Sequence, residues 1–409
     1  PYTTLFRSGG VMKVILIISI EMLVFPLYCG MLLDAATLPL FENATVSSRA
    51  MFAITSPLTS VFVHWFVGTC YMFHFALFVS MCRKILRSGV LYFIRDPDDP
   101  TFHPVRDVLE RNVGTQLRKI TFSASVYGAL VMVCLGGVVW GLSFAFIGVL
   151  PITWSSNEPV LEFPVDLLFY NFLMPVAVKY FKPSDAVQAM YSWWFRRCAR
   201  LLRLTWFLLD ERMNDEEGYF AQWSLHYSWK RIQGDDLFKD GKPHPEIPFV
   251  KNGRYVRTPD SDMVRIPKSR NAFLEVNDKN ERIDGEPDPE EGLHGTKSKL
   301  FKMVYAPPWF RTRIAGFIFL LWLFAAITGC SLTLIPLVFG RWVFNAILPS
   351  EVKKNDIYAF SMGINILGGL AYCLINLRSG AQAIHTAALA NARARSEEHT
   401  SELQSPVLS

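Results

Sequence analysis

Long apolar runs constrain this sequence more than any other feature. A bilayer core about 30 Å thick needs about 20 residues of helix to cross it, so apolar runs of about 18 residues or more predict transmembrane helices. Six runs are found, covering residues 11–33, 58–81, 120–150, 160–181, 314–339 and 357–377. They predict an all-α polytopic integral membrane protein with about six transmembrane helices, and they make the lipid bilayer its first partner.

The fourth run, 160–181, is the weakest because charged residues and prolines interrupt it. It fits either a full span or a re-entrant segment. Within it, Glu162 and Asp166 lie four residues apart and would share one helix face. Two acids there fit a cation or proton site, but acids near a helix start also complement the helix dipole, and the dipole explanation is favoured.

A basic amphipathic helix is predicted over residues 182–212. Its arginines Arg196, Arg200 and Arg203 fall on a different face from its apolar residues, and Trp193 and Trp194 flank them. Helices of this kind lie in the membrane interface, with aromatic rings at headgroup depth and arginines on anionic lipid. The alternative is a cytosolic helix that packs against the spans.

The next segment, 213–302, is polar and rich in proline and acidic residues. Such a composition buries too little apolar surface to offset the entropy of ordering the chain. The sequence therefore predicts a largely disordered cytosolic insert here, followed by two further spans within residues 303–394.

Basic residues are distributed unevenly among the loops. The loops after spans two and four are rich in arginine and lysine, whereas the loop after span three, 151–159, has none. Because positive residues stay on the cytosolic side, the start of the chain is predicted to be cytosolic. Lys353 and Lys354 are a mild exception. The sequon Asn43-Ala44-Thr45 falls in a loop predicted to be lumenal, which makes Asn43 a candidate glycosylation site.

Charge and cysteine content exclude several classes of protein. The net charge is +5, and no basic stripe interleaved with aromatics stands apart from the membrane runs, so nucleic acid is not predicted as a partner. The seven cysteines include no C-x-x-C pair, which argues against a zinc ribbon, a RING or a redox dithiol within this sequence. No catalytic residues and no metal ligands are predicted.

Glu21 is the most informative single residue, because it lies near the middle of the first apolar run. An ionisable side chain there costs about 2.5–3.5 kcal/mol on insertion and usually marks a functional site. Pro26 follows and would free backbone carbonyls nearby. Together they predict a polar site inside the membrane, although a structural hydrogen bond to a neighbouring span would also explain Glu21. His64, in span two, is a weaker candidate for the same kind of contact.

Both ends of the chain look foreign to the rest. Residues 1–8 (PYTTLFRS) and 395–409 resemble translated sequencing adapters. We therefore set them aside when considering the fold. The remaining sequence is predicted to divide into a three-span domain (9–150), the fourth run with its preceding loop (151–181), the amphipathic helix, the insert and the last two spans.

Four motifs stand out, in this chain order: VFPLYCGMLLD (24–34), RSGVLYFIRDPDDPTFHPV (87–105), WWFRRCARLLRLTWFLLDER (193–212) and FGRW (339–342). Together they resemble the polytopic RING-CH ubiquitin ligases of endoplasmic-reticulum-associated degradation, the family of yeast Doa-ten and its MARCH-type relatives. The first two are long and specific, and the resemblance covers most of the chain outside the insert.

The resemblance implies a membrane-embedded part of an endoplasmic-reticulum ligase that selects or presents substrates for ubiquitination and proteasomal degradation. It implies degradation substrates and a ubiquitin-conjugating enzyme as partners, the latter recruited through a RING-CH domain outside this sequence. Zinc would belong to that domain alone, and this fragment by itself should not transfer ubiquitin. The implied location is the endoplasmic reticulum membrane, with the inner nuclear membrane as a second site. A transporter or channel, suggested by Glu21, Pro26 and the glycine-rich third run, and a structural membrane scaffold are the alternatives.

Overall fold

The computed structural model describes a mainly helical chain that divides into two compact units. The first unit draws on residues 1–38, 44–141 and 160–326, and the second on residues 39–43, 142–159 and 327–409. The described residues are 2–94, 108–109, 112–146, 148–153, 175, 179, 183–220, 229, 238–239, 242–243, 249–262, 264, 273–284, 300–347 and 355–403.

Five helical segments of the described residues are long and apolar enough to cross a membrane; four contain a predicted run, and the third overlaps the run 120–150 as far as Ala145. They are Gly10–Ala36, Pro57–Ile85, Val113–Ala145, Phe310–Ile347 and Asp356–Asn391. The polytopic α-helical fold class is thereby confirmed. The fourth run, with Glu162 and Asp166, lies outside the described residues apart from Pro175 and Lys179.

The first span is built of three pieces in series. Helix α1 (Tyr2–Ser19) passes into a π-helix (Ile20–Val24), which passes into helix α2 (Phe25–Ala36). A short 3₁₀ turn (Leu38–Leu40) follows. Helix α3 (Val46–Thr55) then begins with a capping box, in which the hydroxyl of Thr45 accepts from the backbone N–H of Ser48.

The second and third spans complete this part of the first unit. Helix α4 (Pro57–Ile85) forms span two. Span three consists of α5 (Val113–Ala129), a second π-helix (Leu130–Gly136) and α6 (Gly137–Ala145). Close contacts need small residues where helices meet in lipid. Gly30 and Gly68 are such residues: a Cβ on either would come within 1.8 Å of a carbonyl oxygen on the opposite helix.

Helix α7 (Pro183–Leu202) and the short helix α8 (Thr205–Leu209) follow, and a 3₁₀ turn (Asn214–Glu216) comes after them. A left-handed turn ends α7, because Arg203 has φ 59° and the N–H of Leu204 donates to the carbonyl of Ala199. This turn redirects the chain, so that α8 packs beside α7.

Strands are present where the sequence predicted disorder. Two short antiparallel pairs form, β1 with β4 and β2 with β3, together with a three-stranded antiparallel sheet in the order β6-β5-β7. The strands are β1 (Gly218–Phe220), β2 (Phe238–Lys239), β3 (Lys242–Pro243), β4 (Phe249–Lys251), β5 (Arg254–Pro259), β6 (Leu274–Val276) and β7 (Phe301–Ala306). These strands occupy only part of the insert, which was predicted to be largely disordered.

The three-stranded sheet is ordered because its apolar side chains pack against elements outside the insert. Val256 on β5 lies opposite Val304 on β7, and both are buried. They join one apolar cluster with Phe195 of α7, Phe207 of α8 and Phe317 of the fifth span, α9 (Phe310–Ile347). Composition averaged over the insert could not reveal partners that lie elsewhere in the chain.

The second unit contains the end of span three, the later part of α9 and the sixth span, α10 (Asp356–Leu403). Helices α9 and α10 approach closely at two glycines. A Cβ at Gly340 would lie 1.7 Å from the carbonyl oxygen of Ala359, and one at Gly363 would lie 2.0 Å from that of Pro336. Glycine is required at both positions because backbone meets backbone there.

Candidate functional site

The π-helix of the first span contains Glu21, and Pro26 determines where this π-helix forms. A proline has no backbone N–H, and its ring collides with the carbonyl four residues earlier in an α-helix. For Pro26 that carbonyl belongs to Met22. Widening the helix over Ile20–Val24 relieves this collision. Single π-turns of this kind occur often at functional sites.

Glu21, within this π-helix, is exposed on the outside of the bundle. Ile17, Phe25 and Cys29 are all buried, whereas Glu21, which continues the same four-residue spacing, is exposed. Its neighbours Met22, Leu23 and Val24 are exposed as well. Glu21 therefore faces away from spans two and three, into the region that lipid or another membrane helix would occupy.

Trp65 of span two reaches this π-helix. Its indole Nε1 donates to the carbonyl oxygen of Met22 at 2.9 Å. One turn along, a Cβ on Gly68 would lie 1.8 Å from the carbonyl oxygen of Pro26. Spans one and two are thus in direct backbone contact beside Glu21, so the half of the first span that follows the π-helix is held rigidly.

His64 has polar partners within the protein. Its Nδ1 lies 2.7 Å from the carbonyl oxygen of Ser60, and its Nε2 lies 3.4 Å from the carboxylate of Asp34. The same carboxylate pairs with Arg49 at 3.1 Å. This group ties the ends of the first two spans to α3. Among the described residues, no three His, Cys, Asp or Glu side chains are grouped so as to hold a metal ion.

One face of α7 packs on protein. Trp194 donates its indole N–H to the carbonyl of Leu320 at 3.1 Å and stacks on Phe324 at 4.6 Å. Both partners are on α9, so α7 lies along the fifth span. Trp193, by contrast, is 52% exposed, and Arg196 is mostly exposed while it pairs with Glu211. Of the residues predicted to contact lipid, these two remain available for that role.

Arg200 and Arg203 have a different role from the predicted one. The guanidinium of Arg200 is buried, and it bonds Asp215 at 2.9 Å and Glu216 at 3.2 Å. Arg203 is also buried and donates to the carbonyl of Glu216 and to the hydroxyl of Tyr305. Both arginines therefore bind groups within the protein instead of the lipid phosphates that the sequence suggested.

Like that of Asp215, the carboxylate of Glu216 is buried in this cluster. Thr205 donates to it twice, from the backbone N–H to Oε2 at 3.0 Å and from the hydroxyl to Oε1 at 2.6 Å. Burial, and to a smaller extent the neighbouring Asp215, nevertheless raise the pKa of Glu216 to about 7, although the hydrogen bonds from Thr205 and the charge of Arg200 act against the increase. Glu216 thus titrates near neutral pH.

A pH dependence follows from the raised pKa of Glu216. Between its ordinary value of 4.5 and about 7, the folded protein binds the proton more tightly than the unfolded chain. Stability from this group is therefore complete below pH 4.5 and is lost as the pH rises through about 7. In detergent, the melting temperature of the wild-type protein should fall relative to that of Glu216→Gln as the pH rises from 4.5 to about 7. A parallel pH profile for the two proteins would contradict this, and Glu211→Gln, at a more exposed position, is the control.

The loop that follows span two docks through Arg87 and Gly89. The guanidinium of Arg87 is buried and donates to the carbonyl of Pro259 at 3.0 Å and to the hydroxyl of Thr258 at 3.0 Å. Gly89 has φ +84°, and its N–H donates to the carboxylate of Asp262 at 2.8 Å. The motif RSGVLYFI therefore attaches the end of span two to β5. Its continuation, 95–105, lies outside the described residues.

In the second unit, Arg341 of the motif FGRW connects two segments by hydrogen bonds. The guanidinium of Arg341 donates to the carboxylate of Asp356 at 2.7 Å through Nε and to the carbonyl of Val149 at 2.9 Å. Thr153 donates its backbone N–H to the same carboxylate at 2.7 Å. Arg341 thus holds the start of the sixth span to the loop after span three. Asn43, also in this unit, is exposed in a left-handed turn with φ 57°, and its glycosylation stays a prediction.

Sequence reasoning located Glu21 and Pro26 but missed the tryptophan beside them, the carboxylates of the arginine cluster and the ion pair of the second unit. The residues missed are Trp65, Asp215, Glu216, Arg341 and Asp356. The cluster had a weak local signal, since the acids Asp215 and Glu216 follow Arg203 by 12 and 13 residues. For Trp65 and Asp356 the partner is distant in the chain, and no local pattern reveals it.

Comparison with known proteins places these features in a family. No protein-family model matches the chain. It is 30% identical over 379 residues to the "Probable E3 ubiquitin ligase SUD1" of Arabidopsis thaliana, an alignment that covers 90% of this chain and 31% of that protein. It is 27% identical over 431 residues to the "ERAD-associated E3 ubiquitin-protein ligase DOA10" of Saccharomyces cerevisiae, covering 92% of this chain and 32% of that protein. The chain belongs to the Doa10-type family of E3 ubiquitin ligases.

A human relative agrees with this assignment over half of the sequence. The chain is 32% identical to the "E3 ubiquitin-protein ligase MARCHF6" of Homo sapiens over 208 residues, which cover 50% of this chain and 23% of that protein. The chain spans about a third of the length of SUD1 and DOA10. It therefore corresponds to a membrane-spanning portion of the longer Doa10-type proteins.

Proposed function

We propose that this chain is a membrane-embedded portion of an endoplasmic-reticulum ubiquitin ligase, and that it selects or presents membrane and soluble substrates for ubiquitination and proteasomal degradation. The observation that carries the proposal is the intramembrane carboxyl group of Glu21, exposed on the outer surface of the span bundle in a Doa10-type protein. A polar group there would contact a membrane segment that brings a polar side chain of its own.

In this proposal the ligase chemistry belongs to other parts of the protein. A RING-CH domain that binds zinc would recruit the ubiquitin-conjugating enzyme, and the present chain would supply no catalytic residue. The membrane is that of the endoplasmic reticulum, with the inner nuclear membrane as a second location. The start of this chain faces the cytosol, and the loop with Asn43 faces the lumen.

The alternative is a transporter or channel, and Glu21 favours it because an acid inside the membrane can bind a cation. The exposed position of Glu21 weighs against a conduit inside this bundle, because its side chain faces away from spans two and three. A membrane scaffold without a substrate role is the third possibility, and the same experiment addresses all three.

Glu21→Gln in the full-length protein is expected to stabilise degradation substrates, because the amide keeps the size of the side chain and removes its acidity. The measurement is the half-life of ubiquitinated membrane substrates in cells, alongside solute flux in reconstituted vesicles. Longer half-lives with unchanged flux support the ligase proposal. Unchanged half-lives with altered flux would favour a transporter, and no change in either would favour a scaffold. Glu211→Gln, outside the spans, serves as the matched control.

A further inference from the structure

We propose that Trp65 is a positioning residue for Glu21. Its indole N–H, bonded to the carbonyl of Met22 at 2.9 Å, stabilises the π-helix Ile20–Val24 in the form that keeps Glu21 on the outer surface of the bundle. This inference rests on the proposed function, in which Glu21 contacts a membrane segment outside the bundle. It adds the residue that controls where that contact can form.

The first span has buried residues on both sides of its π-helix. Each residue turns an α-helix by about 100°, so Ile17 and Cys29, twelve residues apart, would point about 120° away from each other in a regular helix. Both are buried. The π-helix accommodates one additional residue, which brings these two positions back to within about 20° of each other. Glu21 lies inside the π-helix that absorbs this residue and is exposed, so the direction of its side chain depends on that local conformation.

The carbonyl of Met22 lacks its usual helical donor. In an α-helix this oxygen would accept from the residue four positions later, which is Pro26, and a proline has no N–H to donate. An unsatisfied carbonyl is costly in lipid because no water is present to pair with it. Trp65 supplies the donor from span two. The indole thus stabilises a local conformation that accommodates both Pro26 and the carbonyl of Met22.

The contact between α2 and α4 is too close for either helix to shift. Gly68, on the same face of α4 as Trp65, lies directly against the carbonyl of Pro26, and Gly30 lies against that of His64. These contacts hold α2 firmly on span two. Any change in the π-helix must therefore rotate the half of the first span that precedes it, and Glu21 is in the segment that would move.

A second tryptophan provides a matched control. Trp322 of the fifth span donates its indole N–H to the carbonyl of Cys134 at 3.1 Å, and Cys134 lies in the π-helix of the third span. This bond has the same chemistry and a similar membrane setting, but it does not involve the first span. Trp322→Phe should thus reproduce the general cost of losing such a bond without affecting Glu21.

The experiment measures the exposure of Glu21 directly. The full-length protein in native membranes is treated with dicyclohexylcarbodiimide, which dissolves in the bilayer and adds to carboxyl groups that it meets there. Labelling of the peptide that contains Glu21 is quantified by mass spectrometry, and Glu21→Gln gives the background. For Trp65→Phe we expect labelling to fall roughly threefold, the factor that corresponds to about 0.6 kcal/mol for an average transmembrane hydrogen bond.

The controls make the result decisive. Trp322→Phe should label like the wild type, and Pro26→Ala should label less, because the reason for the π-helix is then removed. Labelling is read only on protein that elutes with the wild type in size-exclusion chromatography. Wild-type labelling of both Trp65→Phe and Pro26→Ala would overturn the inference, as would an equal fall in Trp322→Phe. Labelling that falls as expected, while Glu21→Gln leaves substrate half-lives unchanged, supports the positioning role and refutes the proposed function.

Discussion

Arg200→Ala is expected to destabilise the protein by about 3–5 kcal/mol, the usual cost of removing one partner of a buried ion pair. Arg200 is 4% exposed, and its guanidinium bonds both Asp215 and Glu216, which are each 1% exposed. Removing it leaves two neighbouring carboxyl groups in an apolar cluster with a void beside them. The free energy of unfolding of the full-length protein in mixed micelles, titrated with sodium dodecyl sulfate, measures the effect.

Arg196→Ala is the matched control for that measurement. Arg196 lies one turn earlier on α7 and also pairs with a carboxylate, at 3.2 Å from Glu211, but both side chains reach solvent or lipid. Exposed pairs contribute about 0–1 kcal/mol. If the two variants lose stability equally, the difference in burial has no energetic consequence and the structural account of this cluster is wrong.

Gly68→Ala is expected to have the second largest effect, a loss of about 3 kcal/mol or failure of the first two spans to associate. A methyl group at Gly68 would lie 1.8 Å from the carbonyl oxygen of Pro26 and 2.8 Å from the nitrogen of Gly30. These are backbone atoms, which cannot rotate away as a side chain could, so the helices must separate. Overpacking costs about 1–3 kcal/mol even where side chains can adjust. Apparent melting temperature and the yield of monodisperse protein measure the loss.

Gly141→Ala distinguishes this contact from the general effect of placing alanine in a membrane helix. A Cβ at Gly141, in α6, meets nothing within 4 Å in the described structure. In a helix interior alanine is more favourable than glycine by about 1 kcal/mol, so this variant should be neutral or slightly stabilising. Wild-type stability of Gly68→Ala would show that spans one and two do not meet as closely as described.

The same physics explains why some features could be predicted and others could not. Glu21 and Pro26 were found because an acid inside an apolar run is visible locally. The sheet β6-β5-β7 was not predicted from the sequence, because β6 has only three residues and the apolar partners of β5 lie on α7, α8 and α9. For Arg200 and Arg203, periodicity placed them on a polar face of α7 but could not distinguish lipid phosphates from protein carboxylates as their partners.

The sequence by itself determined that the chain is a polytopic helical membrane protein, where five of its spans lie, and which family it resembles. These properties depend on the length and composition of continuous segments, and transfer into lipid acts on each segment separately. Only the tertiary structure decided that Glu21 faces outward and that Trp65 supplies a donor to Met22. It also decided that Arg200 is buried against Asp215 and Glu216. Those outcomes depend on which groups, far apart in the sequence, come within hydrogen-bond distance of a given carbonyl or guanidinium. That is decided only when the helices and the sheet pack together.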